Sequence, residues 1–163
     1  LMIPGFWLIP KPIIDKAVLW NENLSLHDDG EFICRVLLAS KGNVFVENTV
    51  VYYRQSATSL SRQNQSYKAA KSALDVCELY KKQVLFVKED LKVRQALAYT
   101  YMRFMYEFHP NHKYLLNQAK QSIQTLDVKN LPLIGGNNFK RLTKIIGFYN
   151  ALSLRESFNK LMK

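Results

Sequence analysis

Residues 20–35, WNENLSLHDDGEFICR, constrain this chain more than any other stretch. Four carboxylates, Glu22, Asp28, Asp29 and Glu31, stand there among turn formers and apolar residues. Neighbouring like charges repel, so the Asp28-Asp29 pair belongs where something favours negative charge. The start of an α-helix is such a place, because its free backbone N–H groups and the positive end of its dipole both suit Asp. The residues that follow are helical in pattern. Phe32, Val36 and Ala39 recur at i, i+4 and i+7, with Ile33 and Leu37 beside them, which predicts a helix over 28–41 stopped by Gly42. Capping accounts for one acidic residue well and two passably. Asp-Asp-Gly-Glu asks for a further role.

The rest of the chain sets that run in context. Pro4, Gly5, Pro10 and Pro12 punctuate an apolar start, in which Phe6-Trp7-Leu8-Ile9 reads as extended and Pro12 opens a short helix. A turn cluster, Trp20-Asn21-Glu22-Asn23, leads into the acidic run. After Gly42, VFVENTVVYYR predicts two short β segments around Glu47-Asn48. The polar stretch 55–65 marks a change of composition near residue 62. Beyond it, helices are predicted over 66–88, 90–108, where proline follows at His109-Pro110, and 112–126. A Pro- and Gly-containing linker falls near 129–138, and an amphipathic segment over 139–163 contains Gly147, a break or a close contact.

Composition narrows the class. The chain has 163 residues, 48 % hydrophobic and 22 % charged, enough apolar surface for a packed domain and too much for a disordered chain. No apolar run approaches the roughly 18 residues of a membrane span, and apolar residues 1–10 lack the pattern of a secretory signal. Those first residues read as the middle of a fold, so a piece of a longer protein is expected. Cys34 and Cys77 fall among apolar neighbours on predicted helices, as buried thiols of a reducing compartment do. They form no metal-ligand spacing with His27, His109 or His112. The net charge of +10 is uneven: residues 1–62 carry six basic and six acidic side chains, and 63–163 carry seventeen and seven.

The ordered elements of residues 1–62 resemble the C-terminal half of a family 2 glycosyltransferase, an inverting enzyme of the GT-A fold. In that family an apolar-aromatic strand, here Phe6-Trp7-Leu8-Ile9-Pro10, leads to a helix and a G-x-F/W-N/D-E-x-L segment. Leu19-Trp20-Asn21-Glu22-Asn23-Leu24 corresponds to that segment, with Leu in place of the usual Gly. An acidic pair then opens a helix running through an acidic residue to an arginine, as Asp28-Asp29, Glu31 and Arg35 do. The helix, Gly42, strand and aromatic-Arg ending at Tyr53-Arg54 complete the order. The implied fold is α+β and helix-dominated: a truncated Rossmann-like GT-A portion over 1–62, then a basic helical extension over 63–163.

The resemblance implies sugar transfer from a nucleotide-sugar donor to the hydroxyl of a glycan or lipid-linked acceptor, with inversion, in cell-envelope polysaccharide synthesis; a cytoplasmic location is expected, free or at the inner face of the cell membrane. The second acid of the pair, Asp29, would deprotonate the acceptor hydroxyl, and its like-charged neighbour would make it a stronger base. Asp28 would cap the helix or bind acceptor, and Glu31 would support the first turn or touch acceptor. Trp20 suits a sugar-stacking platform and a core position equally; for Trp7 the core reading is the stronger. Arg54 suits a donor phosphate or an ordinary strand end. Ser59 and Ser61 read as polar loop. The D-x-D triplet that holds the donor's divalent metal, Mg or Mn, occurs nowhere in the sequence. Metal and donor would therefore be bound by an N-terminal half that this chain does not contain.

The basic half has its own alternatives. Over 63–126 it reads as a helical extension with solvated lysines and core aromatics. In 139–163, Phe139, Leu142, Ile145, Ile146, Tyr149, Leu152 and Leu161 alternate with Lys140, Arg141, Lys144, Arg155, Lys160 and Lys163, which suits an anionic membrane surface or docking on the protein. A pI near 9.6 permits nucleic acid, but no recognition motif points to it, and none is expected. A helical interaction or dimerisation module is the rival reading from another class; the oligomeric state is left open. Without a donor half the 163 residues by themselves should show no transfer. Detectable turnover of a nucleotide sugar by the isolated chain would contradict this.

Overall fold

The computed structural model describes residues 4–52 and 65–161, and it is dominated by helix. After a 3-10 turn at Pro4–Phe6 come seven α-helices: α1 (Lys11–Ala17), α2 (Asp28–Ala39), α3 (Tyr67–Val87), α4 (Leu91–Phe108), α5 (Lys113–Thr125), α6 (Asn137–Ile146) and α7 (Phe148–Leu161). They divide into two compact units, Leu1–Val87 and Lys88–Lys163. The boundary thus lies well beyond the change of composition near residue 62. α3, grouped by its composition with the basic extension, packs with α2 inside the first unit.

In the first unit one core cluster is Ala17, Phe32, Ile33 and Val36, with Trp7, Ile9, Ile13, Ile14, Leu37 and Ala39 packed around it. Proline opens α1 as expected, Pro12 lying in its first turn. α2 begins at Asp28, but its N-cap is His27 in the left-handed region, so Asp28 is the first helical residue and not the cap. The helix ends at Ala39, before Gly42. Ser40 closes it, its Oγ donating to the Leu37 carbonyl at 2.9 Å and its N–H to Val36 and Leu37. One buried hydroxyl ties α3 to the loop entering α2. Ser72 Oγ accepts from the N–H groups of Ser25 and Leu26, at 2.9 and 3.0 Å, and donates to the Leu26 carbonyl at 3.0 Å.

The β segments do not form among the described residues. Trp7 N–H bonds to the Pro4 carbonyl at 3.0 Å, curling the expected extended start into a 3-10 turn. Residues 44–46 and 50–52 are β-branched and aromatic, yet exposed and irregular. A strand exists only through ladder bonds to a neighbour, and an unsupported hairpin is marginal in water. Among the described residues the β part of the α+β reading is not seen, and the regular structure there is all-helical.

The second unit pairs α4 with α5 and α6 with α7. Asp90 caps α4, its carboxylate accepting from Val93 N–H at 2.8 Å, which holds that carboxyl below its ordinary range. α4 ends at Phe108, where proline was expected to end it. It packs on α5, and Tyr101, Met102, Phe104, Met105 and Phe108 of α4 and Leu115, Leu116, Ala119 and Ile123 of α5 are buried. The amphipathic segment forms two helices, and of the two readings of Gly147 the structure shows the break, with φ +80° there. In the linker before it, Gly135 also has φ +80°, and a Cβ there would stand 3.0 Å from Phe139 and 3.1 Å from Tyr106. The phenyl ring of Phe139 is edge-on to Tyr106 at 4.9 Å, and Arg155 lies over the Tyr106 ring at 4.0 Å. Part of the segment's aromatic face is thereby used inside the unit.

Val18, which ends α1, has φ +65° and ψ +160°, backbone that glycine adopts without cost and a β-branched residue does not. The position that suits glycine is thus one residue before Leu19, where the family pattern was aligned. Val18→Gly should raise the stability of the first unit by about 1 kcal/mol, relief of backbone strain outweighing the added freedom of the unfolded chain. Urea titration followed by circular dichroism measures this.

Candidate functional site

The acidic run folds into the N-terminal turn of α2, and its carboxylates take separate partners. Asp28 Oδ2 accepts from Trp20 Nε1 at 2.9 Å, and the Trp20 ring lies 4.7 Å from that of Phe32. The indole is 37 % exposed, with one side on the helix and the N–H spent on Asp28. Asp29 Oδ1 accepts from the Gly30 N–H at 2.7 Å. Its Oδ2 has no partner among the described residues, and the side chain is half-buried at the helix end. Both carboxylates stand in the first turn of α2, where the positive end of the helix dipole favours negative charge.

Glu31 turns the opposite way. It is 2 % exposed, and Arg35 grips it with two hydrogen bonds, Nε to Oε1 at 2.8 Å and Nη2 to Oε2 at 2.9 Å. Gln83 Nε2, from α3, adds a third at 2.8 Å. The remaining nitrogen of Arg35 donates to the carbonyls of Ala17 and Val18, the latter at 2.8 Å, where α1 ends. Carboxylates three residues apart thus divide. Glu31 is a fastener between three helices, while Asp28 and Asp29 stay at the surface.

Tyr80, also from α3, closes the other side of the turn. A Cβ on Gly30 would come within 2.5 Å of its hydroxyl, so the glycine is needed for this approach. Burial holds the phenol well above its ordinary range, and the thiols of Cys34 and Cys77 and the carboxylates of Asp29 and Glu31 push the same way. It remains a neutral phenol. Cys34 on α2 is raised to about 11, first by burial and then by the charge of Glu31, with Arg35 opposing. It remains an unreactive thiol, and Cys77 is buried.

The structure brings Trp20, Asp28, Asp29 and Glu31 onto one helical turn and its approach loop. Trp7 lies apart from these, half-buried against the core of the first unit, with its buried Nε1 lacking a partner among the described residues. Arg54, Ser59 and Ser61 fall outside the described residues. Among the described residues no three His, Cys, Asp or Glu side chains converge as metal ligands. Ser72, Tyr80 and Gln83 have no counterpart in the motif. Nothing local marks them, since their partners lie 46 to 52 residues away for Ser72 and Gln83.

No protein family, curated protein or solved structure matches the chain in the comparisons made at the level of family, sequence and fold. The division of carboxylates is open to a direct check. Glu31→Ala should cost about 3–5 kcal/mol, because it leaves the Arg35 charge in a largely enclosed site. Asp29→Asn should change stability by less than about 1 kcal/mol. Thermal melts of the two variants, followed by circular dichroism, separate them.

Proposed function

We propose that this chain supplies the acceptor side and the general base of an inverting, nucleotide-sugar-dependent glycosyltransferase of family 2 type. The observation that carries the reading is the unequal treatment of two adjacent carboxylates at the α2 N-terminus. Asp28 is held by the Trp20 indole of the approach loop, whereas Asp29 bonds only to the N–H of its neighbour Gly30; each has a second oxygen without a partner among the described residues. A pair that served capping alone would have no need of this difference.

In this reading Asp29 Oδ2 takes the proton of the acceptor hydroxyl as its oxygen attacks the anomeric carbon of the donor. The new C–O bond forms on the face opposite the leaving group, and the nucleoside diphosphate departs with the electron pair of the broken bond. Asp28 holds Trp20, whose outer face is a platform for the apolar face of a sugar. The buried Glu31–Arg35–Gln83 group and the Ser72 tie hold the turn rigid, which keeps the base within reach of its proton. The donor and the Mg or Mn ion that would steady its diphosphate belong to sequence carrying a D-x-D motif, which this chain lacks. No step here passes through that ion.

In the full-length enzyme, Asp29→Asn should lower kcat by about 10²–10⁴ while the melting curve stays unchanged. Asp28→Asn should keep the larger part of the rate, since its partner is the indole and not the substrate proton. A full rate in Asp29→Asn would return the acidic run to helix capping.

A further inference from the structure

The last two helices present both charge and apolar surface to water. α6 buries Phe139 and leaves Arg141, Lys144 and Ile145 exposed, Ile145 at 80 %. These stand at i, i+3 and i+4, on one side of the helix. α7 buries Phe148, Ala151 and Leu152 in one stripe and exposes Leu154, Phe158 and Leu161 in another, Phe158 at 60 % and Leu161 at 82 %. A single exposed leucine is ordinary, whereas an apolar row at i, i+4 and i+7 along a helix is not.

Charge identifies the occupant. Residues 88–163 carry thirteen basic and five acidic side chains, a surplus of eight out of the chain's ten. Between 137 and 161 the one acidic residue is Glu156. Arg155 is committed internally, to the Tyr106 ring and carbonyl. Arg141 and Lys144 have no ion-pair or hydrogen-bond partner among the described residues.

We propose that the outward faces of α6 and α7 dock on an anionic lipid surface. Arg141 and Lys144 meet headgroup phosphates, and Ile145, Leu154, Phe158 and Leu161 enter the boundary with the acyl chains. No helix among the described residues is long and apolar enough to cross a membrane, so this contact lies in the interface. A nucleic acid would use the cations but not Leu154 and Leu161, which offer no stacking platform. A second copy would bring the same positive surplus and meet repulsion.

Flotation of the 163-residue chain with phosphatidylcholine vesicles, with and without phosphatidylglycerol, tests this without reference to sugar transfer, so its failure leaves the role of Asp29 untouched. Binding is expected on the anionic vesicles only, and salt should reverse it. The double variant Arg141→Gln/Lys144→Gln should bind about thirtyfold more weakly, from roughly 1 kcal/mol per charge near the surface. Leu154→Ser/Phe158→Ser/Leu161→Ser should lose at least about tenfold, with circular dichroism unchanged. Equal flotation on neutral vesicles, or full binding by the triple variant, would overturn the proposal. So would dimers that dissociate in the triple variant, or oligonucleotide binding that needs the two cations in a chain that does not float.

Discussion

The first unit depends on a carboxylate taken out of water. Burying Glu31 to 2 % exposure costs several kcal/mol unless every oxygen finds a donor. Arg35 supplies a planar two-pronged grip that a lysine could not, and Gln83 completes it. The guanidinium is satisfied in turn by carbonyls at the end of α1, where the helix dipole favours a cation. One ion pair thereby joins three helices. It sets the direction of α2, and with it where Asp28 and Asp29 meet solvent.

α3 is the least obvious contributor. Its composition belongs with the basic residues that follow, yet its packing belongs with α2. Net charge is a property of the solvated face, while partners are chosen by the buried face, and on an amphipathic helix the two are independent. Ser72 shows the consequence. A buried hydroxyl would be costly alone, but here it satisfies two N–H groups and one carbonyl of the loop that delivers the acidic turn. The positioning of Asp29 therefore rests on residues far outside the acidic run.

The second unit makes a comparable use of glycine. Gly147 breaks one amphipathic pattern into two helices, and Gly135 lets the linker pass close to Tyr106 and Phe139. Arg155 then finds an aromatic face and a carbonyl inside the unit, which removes it from the count of surface cations. What is left outside is a smaller set, Arg141 and Lys144 with Ile145 and the α7 row. The basic character of the segment thus divides into an internal part and an external part.

Local pattern determined a good deal by itself. Apolar recurrence marked the helices to within a few residues, proline marked the start of α1 and the end of α4, and the acidic run was placed at a helix start. These follow from 3.6-residue periodicity and from backbone sterics, which act over one or two turns. Strand formation was not decided that way, because residues 44–46 and 50–52 have the right side chains and no neighbour to pair with among the described residues. Nor was the fate of each carboxylate. Asp28, Asp29 and Glu31 are alike in chemistry and close in sequence. Only the third dimension gives the Trp20 indole to Asp28 and closes Gln83 of α3 over the Glu31–Arg35 pair, leaving Asp29 with its neighbour's N–H, because the indole and Gln83 arrive from outside the helix.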